Sequence, residues 1–351
     1  MKNTKLTRLF LLVLSISTIT LGGRLSFNTV SPETVGLSPE RIGRVHQTFQ
    51  KLVDEGKIAG VSVLISRQGK IAFYETLGHM DVENNKPMAD DAIFRIASMT
   101  KALTAVTVLQ LFEKGYFMLD DPAARFIPVL KTMRVMDPNQ VGADPNKPRT
   151  VPLERDITIR DLLRHTSGIY GGNRYTRAGL RDWTGSLEGF VERLASVPLD
   201  CQPGTRFQYS YSTDVLGYLV EVVSGKPLDE YFAEHITAPL DMVDTGFVVP
   251  QEKVSRLTNH YRLTDDKLVC LEKAAASPFL KRAEALSGGG GWSYSYPGAV
   301  TTVRDWWRFT EMLRNYGQLD GVRILSPNTV KLMCSDHLGD IPGAFEPGTG
   351  H

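Results

Sequence analysis

The chain is poor in the residues that mark several large protein classes. It has three cysteines, Cys201, Cys270 and Cys334, among 351 residues. An odd number at wide spacing makes neither a disulfide framework nor a metal-ligand pattern. One disulfide would be allowed, but three isolated buried thiols fit the spacing better. An excess charge of either sign is missing too, because 40 Lys and Arg stand against 39 Asp and Glu. That balance gives no electrostatic case for nucleic acid or for an anionic membrane surface. There is no Gly-x-Gly-x-x-Gly at a strand-to-helix turn, no phosphate loop, no His-Glu-x-x-His and no Gly-x-Ser-x-Gly elbow. The seven histidines are scattered without ligand spacing. No metal and no cofactor is therefore expected.

What is present is ordinary globular composition, 42% hydrophobic and 23% charged. The length suits one large domain or two interleaved lobes. The first residues differ from the rest. Lys2, Lys5 and Arg8 precede an apolar run from Leu9 to Leu21, and Gly22 and Gly23 follow. This is the order of a secretory signal peptide. Ser15, Ser17, Thr18 and Thr20 dilute the run, which is too short for a stable membrane span. Residues 1–23 are expected to be a leader, and the rest to be secreted or periplasmic.

Local patterns predict the elements. Pro39 to Val53 has helical spacing and meets Gly56. Val61 to Ser66 and Ile71 to Leu77 read as a hairpin about Arg67-Gln68-Gly69-Lys70. Ser98 is expected to begin a helix that closes near Gly115. Pro138 to Pro152 reads as a long surface loop. Thr158 and Asp161 resemble a capping pair. Further helices are expected around Leu216 to Gly225 and from Val303 to Asn315, with a break at Gly288 to Gly291. Strands first and helices after suggest a mixed fold with a helical insertion.

The sharpest chemical pattern is Ser98-Met99-Thr100-Lys101. Residues three apart share a helix face, so the amine of Lys101 would lie beside the hydroxyl of Ser98. A serine needs such an activator, and a helix N-terminus favours a developing oxyanion. Alone the pattern is weak, since about one Ser-x-x-Lys is expected by chance in a chain of this composition. A second element is Tyr209-Ser210-Tyr211, after Pro203-Gly204. A lysine beside a tyrosine favours phenolate, and the two then titrate as a pair.

Together these residues resemble the serine β-lactamase-like superfamily, which includes class C β-lactamases, D-alanyl-D-alanine carboxypeptidases and β-lactamase-like carboxylesterases. Shorter matches in the same order extend the resemblance over nearly the whole mature chain. They are Phe94 to Ala97, Ile159 to Ile169, Tyr209 to Gly217, Gly225 to Leu228, Pro239 to Met242 and Leu319 to Gly321. The resemblance implies an α+β fold: an antiparallel sheet flanked by helices, with an inserted all-helical lobe. It implies an α/β lobe over residues 24–105 and 285–351 and a helical lobe over 106–284. By position it makes Ser98 the nucleophile, with Lys101 and Tyr209 as the base system and the Ser98 N–H as half of an oxyanion hole. His165, in the His-Thr-Ser-Gly segment, is expected to shape a loop rather than to do chemistry. Tyr211 and Trp292 are candidates for substrate contact, although a packed aromatic is the plainer reading of Trp292.

The match departs in two places. The family's second motif usually reads Tyr-x-Asn, and here Tyr211 holds the Asn position. That substitution tilts the expectation toward a carboxylesterase on short-chain esters. A β-lactamase or D-Ala-D-Ala carboxypeptidase is the alternative, and a penicillin-recognising scaffold without turnover is a third. The partner in each case is a small ester, amide or β-lactam. The family's third motif is not found, and His351 comes too soon after Tyr209 to be its first residue. The third motif is expected beyond residue 351, which would leave the chain truncated and poorly soluble or inactive as it stands.

Overall fold

The computed structural model describes residues 28–139, 148–170, 176, 178–293 and 296–343, without the side chains of 292 and 293. The leader expected at 1–23 and His351 lie outside these. Helix α1, Pro39–Asp54, starts on Ser38, whose hydroxyl accepts from the Arg41 N–H at 3.3 Å. Strands β1, Gly60–Arg67, and β2, Lys70–Asp81, then form the expected antiparallel hairpin. Gln68 and Gly69 make its turn with φ of 55° and 76°. Two positive φ values in a two-residue loop match the right-handed twist of the strands. Strand β3, Lys86–Pro87, adds to the other edge of β2. Helix α1 packs on β2, and a late helix packs on β1.

Strand β4, Phe94–Arg95, leads into helix α2, Thr100–Glu113. Residues on every side of α2 are buried, among them Thr100, Leu103, Val106, Thr107, Leu109 and Leu111. An all-round buried helix belongs at the centre of a core. Strands β5, Val135–Met136, and β6, Thr150–Val151, pair antiparallel and close the base of the expected loop, of which residues 140–147 lie outside the description. Helices α3, Ile159–Leu163, α4, Leu187–Ala195, α5, Ser212–Ser224, and α6, Leu228–Phe232, follow. The Thr158–Asp161 capping box is present at α3. Helix α5 packs directly on α2, and α3, α4 and α6 pack on α5.

Strands β7, His260–Thr264, and β8, Lys267–Glu272, form a hairpin. Glu272 pairs with Arg95, and Val249, Leu257 and Phe279 form a small core with Ile93 and Val300. Residues 249–280 therefore pack on the β4 region, although they fall in the segment expected to be helical. The chain returns through β9, Trp292–Ser293, β10, Tyr296–Pro297, and β11, Val300–Thr301, which pairs with β4. Helix α7, Val303–Arg314, and helix α8, Pro327–Met333, complete the described fold. The result is α+β, with small antiparallel sheets flanked by helices.

The cysteines correct one expectation. All three are free, but only Cys201 and Cys270 are partly buried, and Cys334 is exposed. Cys334 follows the last turn of α8, where the helix end faces solvent.

Candidate active site

The site is built on the turn between β4 and α2. The Ile96 N–H donates to the Ala299 carbonyl at 3.1 Å, which anchors β4 beside β11. Ala97 then takes a φ of 41°, a left-handed value that costs energy for a residue with a Cβ. Ala97 to Met99 form one turn of 3-10 helix before α2, so Ser98 precedes the α-helix rather than opening it. Lys101, in the first turn of α2 and three residues on from Ser98, has its Nζ 3.3 Å from the Ser98 Oγ. The same ammonium donates to the Gly289 carbonyl.

Tyr209 arrives from the far side, and its hydroxyl donates to the Ser98 Oγ at 2.7 Å. The Lys101 Nζ lies 4.6 Å from the Tyr209 ring centre, within cation–π range. The structure thus brings together the expected nucleophile, Ser98, and both residues expected to form its base system, Lys101 and Tyr209. Their sequence separation is large for Tyr209, which is placed by the loop it sits in. Its ring stacks on His165 at 5.0 Å. The His165 carbonyl accepts from the Gln208 N–H at 2.8 Å, and its Nδ1 faces the Ser210 N–H at 3.3 Å. His165 therefore grips the chain on both sides of Tyr209. An accepting Nδ1 carries no proton. Burial, and then the Lys101 charge, push the imidazole down to about 4. The ring contacts of His165 and the hydrogen bonds of its carbonyl and Nδ1 go to the Tyr209 segment, which fits a loop-shaping residue.

Beneath this loop lies a buried carboxylate. Asp161 accepts from Arg155, Thr158 and Thr166. Burial would raise its carboxyl, but the Arg155 guanidinium and the threonine donors outweigh that and bring it down to about 2. Arg164 and Phe207 also bond the backbone of His337 and Pro342, so the last described residues brace the Tyr209 loop.

Gly288 to Gly291 pack against the nucleophile turn. A Cβ on Gly290, which has φ of 73°, would overlap the Ala97 carbonyl, and one on Gly291 would overlap the Tyr296 carbonyl. The close approach explains the run of glycines. Thr100 and Thr104 tie α2 to the same region, one accepting from the Ala299 N–H at 3.0 Å and the other donating to the Gly288 carbonyl at 2.7 Å.

Two residues here, Asp214 and Ser287, were not singled out in the sequence. Asp214 is 3% exposed and accepts from the Ser287 hydroxyl at 2.6 Å and the Gly289 N–H at 3.2 Å. In the sequence Asp214 looks like an ordinary acid in the first turn of α5. Its position before the apolar Val215 and Leu216 was the available signal.

Tyr211 lies half-buried with its ring edge-on to Phe190 at 5.6 Å, and burial first of all raises its phenol. The backbone of Trp292 pairs with Pro297, while its side chain lies outside the description. Among the described residues no group of His, Cys, Asp or Glu could hold a metal ion. Among the same residues no helix is long and apolar enough to cross a membrane.

The family model described as Beta-lactamase matches residues 45–348. Protein Rv1367c of Mycobacterium tuberculosis is 34% identical over 298 residues, which cover 84% of this chain and 71% of that protein. Esterase EstB of Burkholderia gladioli is 34% identical over 215 residues, which cover 58% of this chain and 51% of EstB. Among solved structures, EstCE1, a hydrolase with promiscuous acyltransferase activity, matches with a TM-score of 0.68 and 28% identity, covering 83% of this chain and 76% of that one.

Proposed function

The chain belongs to the Beta-lactamase family and is a serine hydrolase, and from that premise we propose that it is a carboxylesterase that carries its acyl-enzyme on Ser98. The observation that carries the proposal is the contact of Ser98 Oγ with both Tyr209, at 2.7 Å, and Lys101, at 3.3 Å. A serine hydroxyl is a poor nucleophile until a base takes its proton. In the proposed course the phenolate form of Tyr209, paired with the Lys101 ammonium, takes that proton and becomes the phenol as Ser98 Oγ attacks the ester carbonyl. The Ser98 N–H, at the positive end of the first helical turns, donates to the oxyanion. Tyr209 returns the proton to the departing alcohol, and the acyl group stays on Ser98. Water then attacks the acyl carbonyl and gives its proton to Tyr209. The acid leaves, and the proton returns to Ser98.

Esters are favoured over β-lactams because Tyr211 brings no amide to the second motif and its ring leans on Phe190. The names of EstB and EstCE1 point the same way. The leader composition at residues 1–23 supports action outside the cytoplasm. The test compares turnover of p-nitrophenyl butyrate with that of a chromogenic cephalosporin, each against Ser98→Ala. Ester turnover that disappears in Ser98→Ala, with a butyryl adduct on Ser98 by mass spectrometry, supports the reading. Ester turnover that survives Ser98→Ala sinks the mechanism. Fast cephalosporin hydrolysis with little esterase activity reverses the substrate assignment. Folded protein with neither activity favours a scaffold without turnover.

A further inference from the structure

Asp214 is a buried acid that the mechanism above does not use; burial pushes its carboxyl above the usual carboxylate range, while the Ser287 hydroxyl, the Lys101 charge and the Gly289 N–H favour the ionised form. Among the described residues no guanidinium or ammonium touches it directly. Its Oδ1 accepts from the Ser287 hydroxyl at 2.6 Å and the Gly289 N–H at 3.2 Å. A Cβ on Gly289 would overlap its Oδ2. The residue whose N–H Asp214 fixes is thus the residue whose carbonyl receives Lys101. Ser287 extends the clamp, because its hydroxyl accepts from the Gly291 N–H at 2.6 Å and its own N–H bonds the Pro297 carbonyl at 2.9 Å.

A carboxylate buried without direct ion pairing costs stability. A fold that keeps one beside its reacting groups has a use for the charge. We propose that Asp214 is a positioning residue of the hydrolase site. Its carboxylate holds the Ser287–Gly291 turn so that the Gly289 carbonyl meets Lys101, and it supplies a fixed counter-charge to the Lys101–Tyr209 pair. This rests on the reading of Lys101 and Tyr209 as the base system for Ser98.

The groups facing Asp214 are few. Lys101 comes from α2. Tyr296 comes from β10, with its phenol pushed well up by burial and then by the Asp214 charge. Tyr211 stands at the start of α5, with its phenol raised by burial and then by Asp214. Lys101 itself faces Tyr209 and the neutral His165. Protonating the Lys101–Tyr209 pair adds positive charge near Asp214. Removing the negative charge makes that protonation harder, so both limbs of the pH profile move to lower pH.

The test is Asp214→Asn, whose Oδ1 keeps the shape and both acceptor bonds. Acylation of Ser98 by p-nitrophenyl butyrate is followed across roughly pH 5 to 9, alongside thermal unfolding. The expected result is acylation slowed roughly 10- to 100-fold, both limbs shifted to lower pH, and a Tm equal to or above the wild-type value. Ser287→Ala keeps the charge and loosens the clamp, so it is expected to slow acylation with the limbs in place. Wild-type acylation in Asp214→Asn, unmoved limbs, or failure of that variant to fold overturns the inference, and Asp214 is then only structural. Equal limb shifts in both variants overturn the counter-charge. Wild-type protein that forms no adduct on Ser98 takes down the esterase reading and this inference together. Normal wild-type acylation with an indifferent Asp214→Asn takes down this inference alone.

Discussion

The ring of His165 stacks on that of Tyr209 with centroids 5.0 Å apart and planes at 29°. Together with the Gln208 and Ser210 N–H contacts, the stack holds the residue proposed to move the Ser98 proton. An aromatic pair of this kind is worth about 1 kcal/mol beyond its buried area. His165 takes a φ of 57°, which asparagine tolerates better than most residues. His165→Asn therefore removes the stack with little backbone strain. We expect kcat for a short-chain ester to fall roughly tenfold, the cost of a catalytic group slightly out of place. KM should change little, because the variant leaves the rest of the site in place. Steady-state kinetics check this, and an unchanged kcat would show that the stack does not position Tyr209.

How far the sequence alone could go depended on how local each contact is. Ser98 and Lys101 sit three residues apart, so their meeting follows from one turn of helix. The Gln68-Gly69 turn and the Thr158–Asp161 cap are equally local, and both are present. Tyr209 lies far from Ser98 in sequence and was legible only through the order of family-like motifs. Asp214 and Ser287 are 73 residues apart, and neither belongs to a pattern that spacing alone exposes. The glycine run was legible as a backbone demand, but not its cause, which is the approach of Gly290 to the Ala97 carbonyl. Packing of residues 249–280 on β4 was likewise hidden, because nothing in β7 or β8 announces that Glu272 meets Arg95.

His165 also links the site to stability. Its imidazole stands at about 4 in the folded chain against an ordinary 6.5. Between those values the unfolded chain binds a proton that the folded chain refuses. Stability is thus complete above about pH 6.5 and falls as the pH drops toward about 4, by at most about 3 kcal/mol. Asp161, held at about 2, adds a second loss that begins below its ordinary 3.8. Urea unfolding at a series of pH values should show the midpoint falling across the histidine window. The fall should be shallower in His165→Asn, leaving the smaller contributions of His235 and His260, whose imidazoles are also lowered by burial. A wild-type midpoint that stays flat from neutral pH to about 4.5 would contradict the assignment.

Gly290 gives the sharpest test of the nucleophile turn. Its φ of 73° suits glycine, and any Cβ there would overlap the Ala97 carbonyl and press on the Ser98 amide nitrogen. Ala97 is itself in a left-handed conformation with φ of 41°, so the turn has little room to relax. A left-handed alanine costs about 1 to 2 kcal/mol before any clash is counted. Overpacking against backbone adds about 1 to 3 kcal/mol more. Gly290→Ala is therefore expected to lower Tm by several degrees or more and to move the Ser98 N–H, the donor proposed for the oxyanion. Loss of one such donor costs roughly 100-fold or more in rate. The measurement pairs thermal unfolding with the rate of butyryl adduct formation on Ser98. The loss in rate should exceed what the unfolded fraction accounts for. Gly115→Ala is the control: Gly115 also has a positive φ, 77°, but its Cβ would meet nothing within 4 Å. It should lower Tm modestly and leave acylation of the folded protein unchanged. Equal effects of the two variants on acylation would remove the geometric case for the glycine run as part of the site.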